Sequence, residues 1–295
     1  MILAVTGATG FVGSALMARA LAAGHTVRAL TRRPQPAREG VIWIEGDLAR
    51  PGTLVEGADA VVHVAGVVNA PTPAGFVAGN VDGTATILAA AAAAGVARFV
   101  HVSSLSAREP HLSLYGESKR DAETLVEASD HDWAIVRPAA VYGPGDMEMR
   151  DLFRAARFGL ALLPPSGRMS AVHVDDLARL LLTLAGGGPA HALYEVDDGR
   201  AWTHAAFARA IGDAVGRHVL PIHLPAALLR LGARADRALR GPGAKLTTDR
   251  VGYLVHPDWV ADPARRPPPD LWAPTVETPA GLAATARWYR ANGLL

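Results

Sequence analysis

Three side chains in this sequence could together move a proton on and off a carbonyl or alcohol oxygen: Ser104, Tyr115 and Lys119. Tyr115 and Lys119 are four residues apart, so a helix would place them on one face. An ammonium beside a phenol favours the phenolate and lowers the phenol pKa from about 10. Such a tyrosine can exchange a proton with a substrate oxygen near neutral pH. Ser104 follows the apolar run 99–102 and could hydrogen-bond the same oxygen, with Ser103 as the alternative. Lysine is scarce in this chain. Of 29 basic residues only Lys119 and Lys245 are lysines, which singles Lys119 out.

That chemistry needs a hydride carrier, and the amino terminus offers a place for one. The stretch Val5-Thr6-Gly7-Ala8-Thr9-Gly10-Phe11-Val12-Gly13 follows the apolar run 2–5 and precedes apolar residues at helical spacing, Val12, Leu16, Ala20 and Leu21. It reads as strand, glycine turn, helix. Gly7 permits the tight turn, Gly10 lets the backbone approach a pyrophosphate, and Gly13 lets the helix pack close to the strand. The free N–H groups at the helix start would face the phosphates, with Thr9, Phe11 and Val12 beside them. The next strand, 25–30, ends in Thr31-Arg32-Arg33-Pro34 with no acid to take a ribose 2′-hydroxyl. Arg32 and Arg33 suit a 2′-phosphate, which favours NADP(H) over NAD(H). Asp47, in Gly46-Asp47-Leu48, could accept from the adenine amino group or cap a short helix after Pro51.

The elements that must position these residues alternate through residue 137. Strands are expected at 2–5, 25–30, 41–45, 59–65, 99–102 and 133–137, with helices between them, the third at 80–94 and the fourth at 115–129. That alternation predicts a doubly wound parallel sheet covered on both faces. Val64, Ala65 and Gly66 would flank the cofactor if the fourth strand lies beside the first. His63 sits inside an apolar run and reads as a core residue. The boundary is drawn as a dinucleotide-binding domain at 1–165, rejoined by a strand at 191–196, and a mainly substrate-binding lobe at 166–295. Within that lobe, helices are expected at 175–185, 203–215, 225–240 and 279–291, with irregular chain at 257–274.

Composition bounds the rest. The chain has 295 residues, half of them hydrophobic, a net charge of +1 and no cysteine. Disulfides, thiol catalysis and Cys-ligated zinc are therefore excluded, and no metal site is expected. The near-neutral balance gives no reason to expect nucleic acid or a membrane as partner. Ala-rich runs such as 88–96 are too short to span a bilayer. A cytoplasmic protein without a signal peptide is the expectation.

Taken together, these motifs resemble those of extended short-chain dehydrogenases/reductases, in the NAD(P)-dependent epimerase/dehydratase group. The matching stretches are Thr6–Gly13, Gly46-Asp47-Leu48, His63-Val64-Ala65-Gly66, Asn80-Val81-Asp82-Gly83-Thr84, Val102-Ser103-Ser104, Tyr115-x-x-x-Lys119, the run 137–145 and His173-Val174-Asp175-Asp176-Leu177-Ala178. The resemblance implies a Rossmann-type fold and a catalytic set of Ser104, Tyr115 and Lys119. Tyr115 and Lys119 would also touch the cofactor, and Pro138 and Val141 would lie along the nicotinamide. It implies that Asp175 and Asp176 cap a helix, and it allows a homodimer through helices near 83–94 and 115–129. Only ten residues separate Ser104 from Tyr115, and Leu105-Ser106-Ala107 carries no acid. Both features argue against a sugar-nucleotide dehydratase. A reductase or dehydrogenase of a small carbonyl or alcohol is favoured. A sugar-derivative epimerase and a cofactor-holding, non-catalytic subunit are the alternatives.

Overall fold

The structure is a computed structural model that describes residues 1–295, the side chain of Pro242 apart. Its first elements are β1 (Ile2–Thr6), α1 (Phe11–Ala22), β2 (Thr26–Thr31), β3 (Val41–Glu45), β4 (Ala60–His63), α2 (Pro73–Phe76), α3 (Gly83–Ala93), β5 (Arg98–Val102), α4 (Leu114–Glu127) and β6 (Asp132–Pro138). Then come β7 (Ala140–Tyr142), α5 (Arg150–Ala156), β8 (Leu160–Leu163), β9 (Arg168–Met169), β10 (Ala171–His173), α6 (Val174–Ala185), β11 (Ala192–Val196) and β12 (Trp202–Thr203). The chain finishes with α7 (His204–Val215), β13 (Leu220–His223), α8 (Ala226–Arg240), α9 (Thr248–Leu254), β14 (Asp258–Trp259) and α10 (Thr278–Ala291).

The chain forms two compact units, each built from several segments: 1–138 with 175–195 and 267–273, and 139–174 with 196–266 and 274–295. The first holds a seven-stranded sheet in the order β11-β6-β5-β4-β1-β2-β3. Adjacent strands from β6 to β3 all pair in parallel. The apolar runs found in the sequence are these strands. β1, β4 and β5 sit inside the sheet and are almost wholly buried. The chain winds outward from β1 to β3 and then returns to β4 on the other side of β1. This reversal creates the crevice where a doubly wound sheet binds its ligand. The core beneath the helices includes Leu30, Leu54, Val61, Ile87, Phe99, Val126 and Ile135.

Two expectations in the first unit need correcting. The helix before β5 begins at Pro73, not Asn80. Thr72 caps it by accepting the Gly75 N–H, and it continues through a π-helical stretch, Val77–Asp82, into α3. By length and composition this 21-residue stretch, of mean hydropathy 1.3, could cross a membrane. It serves instead as a sheet-covering helix, with Phe76, Asn80, Thr84, Ile87 and Ala91 buried. The second correction concerns residues after Pro51, which form turns rather than a helix. Asp47 therefore caps no helix there; its carboxylate accepts the Arg50 N–H at 2.9 Å and closes a tight turn.

The second unit has its own core, centred on Tyr142, Phe153, Phe207, Ile211, Leu282 and Tyr289. Small strand pairs support it: β7 with β10, β8 with β13, and β9 with β12 and β14. Thr203 caps α7 through the Ala206 N–H. The final helix starts one residue earlier than its Thr-Pro signal suggests. Glu277 is the N-cap, and Thr278 is a helical residue that donates to Asp198.

Candidate active site

The carboxyl edge of a parallel sheet collects whatever follows each strand. Here that edge carries Gly7–Gly10 after β1, Arg32 and Arg33 after β2, Asp47 and Leu48 after β3, Val64–Gly66 after β4, and Ser103-Ser104 after β5. Pro138 is the last residue of β6. All but one of the residues expected to hold a cofactor therefore belong to the first unit. The exception is Val141, which lies on β7 of the second unit, paired with Val172.

The glycine turn leaves room for backbone approach and little else. Gly7 has φ +69°, and a Cβ there would fall 2.8 Å from the Ala65 nitrogen. A Cβ on Gly13 would lie 2.1 Å from the Gly7 carbonyl oxygen, so α1 abuts the turn as the motif requires. Gly10 is the N-cap of α1, supplies no side-chain cap, and no acid occupies the first turn. The first N–H groups of α1 are thus available to an anion. Thr9 and Gly10 are exposed, while Phe11 and Val12 are half-buried. Arg32 and Arg33 are exposed, and neither guanidinium has an ion pair among the described residues. Leu48 faces α3, its Cδ1 2.8 Å from where a Cβ on Gly83 would be. These features fit a dinucleotide diphosphate against α1.

Two buried polar side chains fix the loop after β4. Thr6 Oγ1 accepts the Ala65 N–H at 3.1 Å and meets His63 Nδ1 at 2.8 Å. Asn80 Oδ1 accepts the Val67 N–H, while its amide donates to the Val67 carbonyl and to Ser118 Oγ on α4. Asn80 thus staples the switch-point loop to the helix that carries Tyr115 and Lys119. The sequence signalled Asn80 only as a motif member, not as this staple.

Ser113 accepts the Gly116 N–H and starts α4, which puts half-buried Tyr115 in the first turn and buried Lys119 one turn later. Lys119 Nζ donates to the Val102 carbonyl at 2.8 Å and lies 3.8 Å from the position of a Cβ on Gly66. Burial pulls its pKa from 10.5 down to about 8, with Glu123 pulling it partly back up. Burial, and then Lys119, hold His63 at about 3 and His101 well below its usual value. Both imidazoles are therefore neutral, and His63 is the core residue its apolar run suggested.

The two serines separate clearly. Ser103 is buried and donates to Glu123 Oε1 at 2.5 Å. Ser104 is half-buried, accepts the Ser106 N–H and donates to Ser106 Oγ at 3.2 Å. Ser103 is thus committed to an ion network that sequence reasoning missed. Arg137 holds Glu123 with two hydrogen bonds of 2.8 and 2.6 Å, and Glu195 lies 3.5 Å beyond. Arg120 binds Glu123 and Glu127, and Arg108 reaches Glu195 at 3.3 Å. One signal was available: Tyr115, Lys119 and Glu123 are spaced four apart, on one helix face. The resemblance's Asp175 and Asp176 sit in the first turn of α6, where Asp176 also accepts from Arg179.

Comparisons with known proteins show the family and the fold. A ceramide reductase of Caulobacter vibrioides is 38% identical over all of this chain and 96% of its own. A 4-hydroxy-2-methyl-3-oxo-4-farnesyl-3,4-dihydroquinoline-1-oxide ketoreductase of Stigmatella aurantiaca is 30% identical, over 85% of this chain and 86% of its own. The solved structure of MoeE5 with UDP-glucose and NAD superposes with a TM-score of 0.78 at 23% identity, covering 99% of each chain, and shows the same fold. The NAD dependent epimerase/dehydratase family matches residues 3–195. With the switch-point crevice, the open helix terminus and these relatives in view, the chain belongs to that family and is an NAD(P)-dependent oxidoreductase of extended short-chain dehydrogenase/reductase type.

Proposed function

We propose that this enzyme is an NADP(H)-linked reductase of a ketone carried on a largely apolar molecule, with Ser104, Tyr115 and Lys119 as its catalytic residues. The carrying observation is Lys119: a buried ammonium beside Gly66, on the Tyr115 face of α4. When bound, the nicotinamide supplies the hydride. Ser104 Oγ orients the substrate oxygen, because its neighbour Ser103 is engaged by Glu123. Tyr115 gives its phenolic proton to that oxygen as the alcohol forms. Lys119, fixed by the Val102 carbonyl, stabilises the phenolate left behind. Exposed, unpaired Arg32 and Arg33 support recognition of a 2′-phosphate. Ceramide and a farnesyl-bearing quinoline oxide, the substrates named for the two relatives, support an apolar substrate class and net reduction.

The test is NADPH oxidation over a series of ketones of increasing chain length, with NADH alongside. Turnover should rise with chain length and prefer NADPH. Tyr115→Phe should lower kcat at least about a hundredfold while leaving NADPH affinity within about twofold, since the ring is kept. A Tyr115→Phe enzyme of unchanged kcat rejects the proton role. Equal use of NADH rejects the coenzyme assignment, and binding without net oxidation rejects reduction.

A further inference from the structure

The second unit leaves apolar side chains in water on two consecutive elements. In α8, residues 228, 231, 235, 238 and 239 fall on one side of the helix. Leu228 is 53%, Leu231 61% and Leu239 85% exposed. The side away from them faces protein at Ala233, which is buried, and beside Leu239 a Cβ on Gly232 would lie 3.5 Å from Leu246 Cδ2. So α8 turns Leu228, Leu231 and Leu239 outward. Arg230, Arg234 and Arg237, spaced i, i+4, i+7, line the flank of that apolar stripe. All three are exposed, with no ion pair among the described residues. Two residues before α8, the β8–β13 pair does the same. Its register sets Leu160 beside Leu220 and Leu162 beside Ile222, all exposed, and Phe158 just upstream is 81% exposed.

We propose that α8 is an interfacial helix that docks on an anionic lipid bilayer. Leu228, Leu231 and Leu239 enter the headgroup–acyl boundary, and Arg230, Arg234 and Arg237 meet the lipid phosphates. The charge argues for that occupant. Four arginines on α8 stand against one acid, Asp236, which is itself engaged by Arg240 and by the Lys245 and Leu246 N–H groups. The helix thus carries +3, while the whole chain carries +1. Outward leucines flanked by a row of arginines are the pattern of helices that lie in the plane of a membrane surface. A second copy fits less well. Fifteen residues make a helix of about 22 Å, and the face of α8 taken alone, a few hundred Å2, falls short of the roughly 800 Å2 per partner of a stable interface. A two-fold contact would also set arginine against arginine. This surface is argued from the second unit's own residues and stands apart from the substrate proposed above.

The test is flotation of the full-length protein with phosphatidylcholine vesicles, with and without phosphatidylglycerol. The protein should float with the anionic vesicles only, and high salt should release it. Arg230→Gln/Arg234→Gln/Arg237→Gln should weaken partitioning roughly a hundredfold. Leu228→Ser/Leu231→Ser/Leu239→Ser should abolish flotation. Both variants should keep the wild-type melting curve, and turnover of a short water-soluble ketone, because every altered side chain is exposed. The proposal is overturned if the protein does not float with anionic vesicles. It is equally overturned if the leucine variant floats like wild type, or if sedimentation reveals a dimer that the same variants dissolve.

Discussion

Replacing Glu123 by glutamine removes one charge from the ion network under the active-site edge and leaves its shape nearly intact. Glu123 is fully buried and satisfies Arg137 twice, Ser103 once and Arg120 once. Without it, Arg137, 9% exposed at its side chain, keeps only Glu195 at 3.5 Å. Breaking one partner of a buried pair costs about 3–5 kcal/mol, because the other charge stays desolvated. Glutamine keeps one acceptor, so we expect about 3 kcal/mol. For a chain of 295 residues that lowers the melting midpoint by roughly 5 °C. The pH dependence has a definite sign. Burial pushes the Glu123 pKa up, but the Arg137 hydrogen bond and charge, with Ser103 and Arg120, more than offset it and hold the carboxyl below 4.5. The unfolded chain therefore binds that proton at higher pH than the folded chain does. Glu123 contributes stability above the unfolded value, and this is lost as pH falls through the lower folded value. The glutamine variant should lack that part of the acid limb. Glu123 also raises the Lys119 pKa. Under the proposed mechanism, the alkaline limb of kcat/KM should move to lower pH in the variant. Urea unfolding and a pH–rate profile measure both effects. A cost under about 1 kcal/mol, or an alkaline limb that stays put, refutes this account of the network.

Three further outcomes are expected. Lys119→Met removes a buried ammonium whose pKa has fallen from 10.5 to about 8. It should raise stability at neutral pH by up to about 3 kcal/mol while abolishing turnover, and the gain should shrink as pH rises through 8, where wild-type Lys119 loses its charge; thermal melts across pH decide it. Gly13→Ala places a Cβ 2.1 Å from the Gly7 carbonyl oxygen, with only backbone to give way. Titration of NADPH fluorescence should show binding at least about tenfold weaker, a loss of about 1.4 kcal/mol or more. Arg32→Glu/Arg33→Glu should raise the KM for NADPH by at least roughly a hundredfold and that for NADH by far less, each of the two charge-assisted contacts being worth about 1.5–3 kcal/mol; equal effects on both coenzymes would remove the arginines from 2′-phosphate recognition.

Much of the first unit was legible because its signals are local. Apolar runs bounded by glycine give the strands of a buried parallel sheet, and the Gly7–Gly13 turn needs only its own neighbours. The four-residue spacing of Tyr115 and Lys119 likewise sets their shared face once α4 forms. What the sequence could not show was anything set by residues far apart in the chain. Ser103 and Ser104 look alike until Glu123, twenty residues on, takes the first. Asn80 looks like a helix start until its amide is seen bridging Val67 and Ser118. The net charge of +1 averages over all 295 residues and conceals the arginine row of α8. By itself the sequence determined the sheet, the glycine turn and the Tyr115–Lys119 face, since backbone sterics and hydrophobic period act over a few residues. Only the tertiary structure decided which serine Glu123 takes, what fixes Lys119 and which leucines stay in water, because burial and ion pairing depend on partners that folding brings together.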